Sequence, residues 1–344
     1  MTRYILRRAI EGLALLFIVS VILFFITNSI GDPISVLTDG TRPPLGEERD
    51  RIMRQLGLDQ PTTVQYLFWL IGNDWTRIDA DGDGDTDENI RGRRQGILRG
   101  DLGQSLSTRE PALDRIVDRL PNTLLLMIPS YLLVLTLALI MGIYSALRPY
   151  SPLDSVLTTL ALVGYSLPIF LVCMGLIYVF ASTLRILPTA GMWDLSQPRD
   201  LGNLARHMIL PVTSLVVVQV ARYIRYIRAG VLEVLNDTYI RTARAKGLRE
   251  RRVIGLHVLR PASLPLVTLI GLDLPVLLGG AVVTERIFAW PGLGALFIES
   301  LNRSDYPVLM GILMFISVMV IVFQLLTDIV YTWLDPRITY GARG

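Results

Sequence analysis

Six apolar runs with few or no charges divide the chain, at residues 12–30, 123–147, 155–184, 207–221, 262–284 and 306–327. An α-helix needs roughly 20 such residues to cross the hydrocarbon core of a bilayer, so the pattern predicts an all-α protein with six transmembrane helices. The fourth run is short for that task and is expected to extend through Arg222 and Arg225, whose long side chains can snorkel toward the interface. The fifth is interrupted by Asp273. The first follows basic residues but has no convincing small-residue cleavage site, so it reads as a retained helix and not a signal peptide.

Composition supports the pattern. With 51% hydrophobic residues and a mean hydropathy of +0.48 over 344 residues, the chain is too apolar for a soluble protein with one or two cores. Orientation follows from the short basic segments. Arg3, Arg7 and Arg8 place the amino terminus in the cytoplasm, and six spans return Arg337 and Arg343 to the same side. Residues 32–122 and 185–206 then lie outside, and 148–154 and the basic stretch after the fourth run lie inside. The net charge of +3 therefore concerns topology and membrane lipid, and no nucleic-acid motif accompanies it. The lone Cys173 excludes an intrachain disulfide.

The basic stretch is the most informative part of the sequence. Residues 237–245 predict a helix, Gly247 is placed to end it, and residues 250–259 predict a second. Pro261 and Pro265 shape the return to apolar sequence. Ala243 and Gly247 lie four apart, on what would be one small-residue face suited to docking another protein. An ordinary positive-inside loop explains the same charges without any partner.

Residues 32–122 are too long and too rich in Gly, Pro and charge for a simple connector. A short packed helix is expected over 56–70. Beyond it, Asp79, Asp81, Asp83, Asp85 and Asp87 alternate around Gly82 and Gly84 like the start of an EF-hand-type loop, which makes them candidate Ca²⁺ ligands. The bidentate Glu of the twelfth position is missing, since Ile90 stands there, and a solvated acidic loop is the competing reading.

The chain holds no nucleotide motor of its own: a P-loop needs Lys followed by Ser or Thr, and the single lysine, Lys246, precedes Gly247. An intramembrane protease is disfavoured because His207 and His257 lack an HExxH setting. An ATP-independent secondary transporter or channel, using Asp273 as an ion site, is the rival reading.

Several blocks carry a family resemblance: YILRR at 4–8, GDP at 31–33, LGLDQP at 56–61, GDLGQS at 100–105, ERIFAWPGLG at 285–294, DYP at 305–307 and DPR at 335–337. With the basic stretch 239–268, they make the chain resemble permeases of the dipeptide/oligopeptide/nickel family of ABC importers over nearly its whole length. Pro261 departs from the usual Asn, and residues near 72–98 look like an insertion. The resemblance implies a type I ABC importer permease fold in a bacterial or archaeal inner membrane, forming one half of a heterodimeric channel. It also implies a second homologous permease subunit, two cytoplasmic ATP-binding subunits and an extracytoplasmic solute-binding protein as partners. Arg241-Thr242-Ala243 stands where the general coupling motif has Glu-Ala-Ala. The implied ATPase-coupling residues are Arg241, Thr242, Ala243, Ala245, Lys246, Gly247, Leu248 and His257. The expected division is an amino-terminal span (1–31), an extracytoplasmic segment (32–122), a five-helix core (123–334) with its coupling loop at 229–263, and a tail (335–344).

Overall fold

The computed structural model describes residues 2–29, 46–77, 91–92, 94–194, 196, 198–278 and 281–334. In chain order its helices are α1 (Thr2–Ser29), α2 (Glu47–Leu56), α3 (Thr62–Ile71), α4 (Ala112–Leu147), α5 (Pro152–Ser166), α6 (Ile169–Leu176), α7 (Leu201–Leu235), α8 (Thr238–Ala245), α9 (Glu250–Arg252), α10 (Leu259–Ala262), α11 (Leu264–Leu278), α12 (Val282–Ile287), α13 (Leu293–Asn302) and α14 (Tyr306–Leu334). A π-helical stretch, Ile177–Thr183, continues α6, and another, Val253–Val258, joins α9 to α10. Among the described residues no strand forms; two isolated bridges pair Arg77 with Arg91 and Gln104 with Pro111. The first brings together the two ends of the acidic segment, whose residues Asp79, Asp81, Asp83, Asp85 and Asp87 lie outside the described residues.

Among the described residues four helices, α1, α4, α7 and α14, are long and apolar enough to cross a membrane singly, and the count reaches six only if each of two bent pairs forms one span. The run at 155–184 is not one straight helix: α5 and the helix beginning at Ile169 meet at 104°. Pro168 is the cause. The residue before a proline is driven out of the α region, and Leu167 sits at φ −76°, ψ 128°. At 1.5 Å per residue the 15 residues of α5 reach only about 22 Å, short of the ~30 Å hydrocarbon core. The run at 262–284 is likewise divided, since α11 ends at Leu278 and Thr284 belongs to α12. Its lower end bends by 52° against the helical stretch Glu250–Ala262. The helix expected over 56–70 is α3, which starts later, at Thr62, because α2 ends at Leu56. Gly57, at φ +69°, turns the chain between α2 and α3.

The chain forms two compact units: residues 122–295 with 1–9 and 319–344, and residues 10–121 with 296–318. In the first, α7 supplies the centre. Tyr223, Ile227 and Val231 pack in one core with Leu126, Val134, Ile240, Val253 and Trp290. Small residues let backbones close on α7: a Cβ added at Gly164 would meet the Val217 carbonyl at 3.1 Å, and at Gly230 the Ala262 carbonyl at 3.1 Å. Arg228 of α7 forks onto Asp154 of α5 through two 3.0 Å contacts, and Ser145 of α4 donates to the same carboxylate. The ERIFAWPGLG block has a structural explanation here. Glu285, fully buried, accepts hydrogen bonds from the Thr123 hydroxyl (2.9 Å) and the Ala295 amide (3.0 Å). A Cβ at Gly292 would come within 2.5 Å of that carboxylate, which is why only glycine fits there. Arg8 of α1 pairs with Asp328 of α14 at 3.1 Å, giving Asp328 the interhelical role expected of a polar group in a span.

In the second unit Phe24 of α1 packs with Tyr66 and Trp69 of α3 and Met310 and Met314 of α14. The GDLGQS and DYP blocks, some 200 residues apart, meet around the buried Asp305. Its carboxylate accepts hydrogen bonds from the Ser105 hydroxyl, the Leu106 amide (3.0 Å) and the Ser107 hydroxyl (2.9 Å), with Arg115 at 3.4 Å.

Candidate functional site

The predicted coupling residues occupy α8, the turn after it, and the start of the next helical stretch. In α8, Ile240 and Ala243 are buried, three apart on one face, in the core that holds Val253 and Val258. The opposite face leaves Arg241, Thr242, Ala245 and Lys246 exposed. Gly247 follows at φ +75°, its amide donating to the Arg244 carbonyl at 2.9 Å, a left-handed residue that ends the helix. Leu248 returns to the core, half-buried. Across the turn Arg244 grips Glu250 through two contacts, 3.2 Å and 2.6 Å, which hold its guanidinium above the ordinary arginine value. His257 is half-buried in the π-helical stretch, and its carbonyl accepts a bond from the Tyr239 hydroxyl at 3.4 Å.

This geometry corrects one expectation. Ala243 and Gly247 do not form a shared small-residue face, because Ala243 points into the chain while Gly247 lies exposed beyond the helix end. A Cβ on Gly247 would meet nothing within 4 Å, so within this chain its requirement is the positive φ and not crowding. The surface offered outward is mostly basic: Arg241, Thr242, Lys246, Arg249, Arg251 and Arg252 are exposed, with the small apolar Ala245 among them.

The predicted coupling segment sits between α7, which leads into it, and α11, which leads away. These two helices are tied to each other within the apolar region. Arg222 of α7 ion-pairs with Asp273 of α11, and the Tyr223 hydroxyl donates to the same carboxylate oxygen at 2.6 Å. Because the Tyr223 proton is committed to Asp273, the 2.6 Å contact between Tyr131 of α4 and Tyr223 must have Tyr131 as donor. Arg222 also lies over the Tyr223 ring, 5.5 Å from its centroid. Arg222 is thus an ion-pair partner and not a snorkelling side chain, while Arg225 stacks over Tyr165 at 5.5 Å. Asp273 is satisfied by groups of its own chain, which leaves little reason to read it as a transported-ion site. Tyr131 and Tyr223 escape a motif-based reading; hydroxyl-bearing aromatics inside apolar runs, on helices also carrying an Asp and an Arg, are the only sequence signal for them.

Residues 138–340 match the family described as the binding-protein-dependent transport system inner membrane component, and residues 1–127 match the description of the N-terminal part of such a membrane component. The chain is 38% identical over 343 residues to the oligopeptide transport system permease protein AppB of Bacillus subtilis (strain 168), covering 99% of this chain and 100% of that one. It is 35% identical over 364 residues to the dipeptide transport system permease protein DppB of Escherichia coli (strain K12), covering 99% of both. Among solved structures, a chain of the inward-facing MetNI methionine ABC transporter superposes with a TM-score of 0.52 at 16% identity, covering 65% of this chain and 97% of that chain. At that identity the likeness concerns the fold. On the sequence matches, the chain belongs to the family of binding-protein-dependent transport system inner membrane components.

Proposed function

We propose that this chain is the permease subunit of an ABC importer for peptides, forming a translocation pathway with a second, homologous permease. As a family member it is a transport subunit, and ATP is hydrolysed by separate subunits. One of two cytoplasmic ATPases docks on the exposed face of α8 and the turn at Gly247, and an extracytoplasmic binding protein delivers the solute. Both termini lie in the cytoplasm of a bacterial or archaeal cell, with residues 32–122 outside. The observation that carries the coupling role is the two-sided packing of α8. Ile240, Ala243 and Leu248 hold it to the core of its own unit while Arg241, Thr242, Ala245 and Lys246 stay free for a partner. A segment anchored on one face and open on the other can pass a push from a motor into the spans, as alternating access requires. The Arg222–Asp273 pair helps by tying together the helices on either side of the segment.

Reconstitution tests the reading. The purified chain alone should not hydrolyse ATP, and with its partner subunits it should support hydrolysis stimulated by the loaded binding protein. Robust nucleotide turnover by the isolated polypeptide would overturn the assignment.

A further inference from the structure

The second unit contains a cavity of about 90 Å³, room for several water molecules. Phe24 of α1, Trp69 of α3 and Met310 of α14 are among its apolar lining, and Arg94, Asp101 and Tyr306 among its polar lining. Neither charge belongs to a network already described. The Arg94 backbone is fixed at both ends, its amide donating to the Asn73 side chain at 3.0 Å and its carbonyl accepting from the Asn73 amide at 2.9 Å. The residue is half-buried, and its guanidinium makes no ion pair or hydrogen bond among the described residues. Burial pushes its pKa down, with Asp101 partly opposing. Asp101 is itself held in place, each of its oxygens taking one backbone N–H, from Gln95 and Gly103, at 2.8 Å. Each oxygen keeps further acceptor capacity. The buried Tyr306 hydroxyl also has no hydrogen-bond partner among the described residues.

A half-buried guanidinium with no partner among the described residues costs free energy unless something anionic reaches it. The neighbourhood points to the source. α3 is a ten-residue apolar helix that leaves Leu67 and Ile71 exposed, and the indole of Trp75 lies exposed just beyond it. Such an apolar and aromatic surface suits the boundary between membrane and water. Asp101 sets the sign balance: a wall carrying one cation and one anion matches a headgroup carrying both, better than a free dianion.

We propose that this cavity binds the headgroup of a membrane phospholipid, its phosphodiester on Arg94, its primary ammonium on Asp101, and the start of its acyl chains against Phe24, Trp69 and Met310. The site lies within the second unit and does not depend on the role given to the coupling segment.

The test uses the intact transporter, delipidated and then exposed in turn to phosphatidylethanolamine, phosphatidylglycerol, phosphatidylcholine or inorganic phosphate. Retained ligand is counted by native mass spectrometry. One phosphatidylethanolamine per chain should survive conditions that strip the others. Arg94→Gln should lower its occupancy about tenfold, the loss expected for one charge-assisted hydrogen bond, and Arg94→Lys should restore most of it. Because the Asn73 contacts are to the Arg94 backbone, the Gln variant should assemble in normal yield. Equal retention by wild type and Arg94→Gln overturns the proposal, as does inorganic phosphate displacing the lipid at equal concentration. Should Arg94→Gln fail to assemble, the wild-type series decides alone: a quaternary ammonium cannot donate to Asp101, so phosphatidylcholine bound as well as phosphatidylethanolamine also overturns it.

Discussion

Replacing Asp273 by Ala removes one acceptor shared by two donors on α7. The 2.6 Å bond from Tyr223 is charge-assisted, and losing it costs roughly 1.5–3 kcal/mol. Stranding Arg222 adds less than the 3–5 kcal/mol of a fully buried broken pair, because its side chain is 36% exposed and can turn toward polar surroundings; about 1 kcal/mol is reasonable. The total is about 3 kcal/mol, or roughly a hundredfold in an equilibrium constant. Asp273→Asn keeps an acceptor oxygen for both donors and should cost only about 1 kcal/mol. Arg222→Met with Asp273→Leu leaves no uncompensated charge but still no carboxylate for Tyr223, so it should recover only about 1 kcal/mol of the loss. If the pair transmits motion between α7 and α11, Asp273→Asn should retain ATP-driven uptake. Asp273→Ala should lower the solute moved per ATP hydrolysed more than it lowers hydrolysis. Thermal unfolding in nanodiscs gives the stability order, and parallel uptake and hydrolysis in proteoliposomes give the coupling ratio. The reasoning fails if all three variants unfold at the wild-type midpoint. It fails equally if Asp273→Asn abolishes uptake together with a proton-gradient requirement, which would make the residue an ion site.

Gly247→Glu forces a side chain into a left-handed position at a cost of about 1 kcal/mol, outside the apolar runs, so membrane insertion should be normal while ATPase docking weakens or hydrolysis uncouples from transport. Unchanged assembly and transport rates would remove Gly247 from the coupling role. Glu285→Ala deletes the buried acceptor of Thr123 and Ala295 and should destabilise by about 3 kcal/mol, whereas Glu285→Gln, which keeps an acceptor, should lose less; equal midpoints in nanodisc melts would contradict the network.

Much of the fold was legible in the chain because its signals are local. Apolar runs matched to bilayer thickness mark α1, α4, α7 and α14 wherever the residues happen to pack. The helix stop at Gly247 is a property of glycine's backbone and needs no neighbour. Pro168 was equally local, since a proline restrains the residue before it, yet the apolar character of 155–184 hides a break that hydropathy does not sense. What only the tertiary structure decided is which side of a helix meets what. Whether Ala243 serves a partner or the core depends on how α8 is rotated about its axis, set by Val253 and Val258 ten and fifteen residues later. Asp273 read alone is an unexplained charge in a span. Its meaning comes from Arg222 and Tyr223, about fifty residues earlier and beyond the coupling segment, brought within hydrogen-bonding reach when α7 and α11 pack side by side. Sequence carries the cost of burying that carboxylate, but the partner that offsets the cost is chosen by helix packing, which no local pattern specifies.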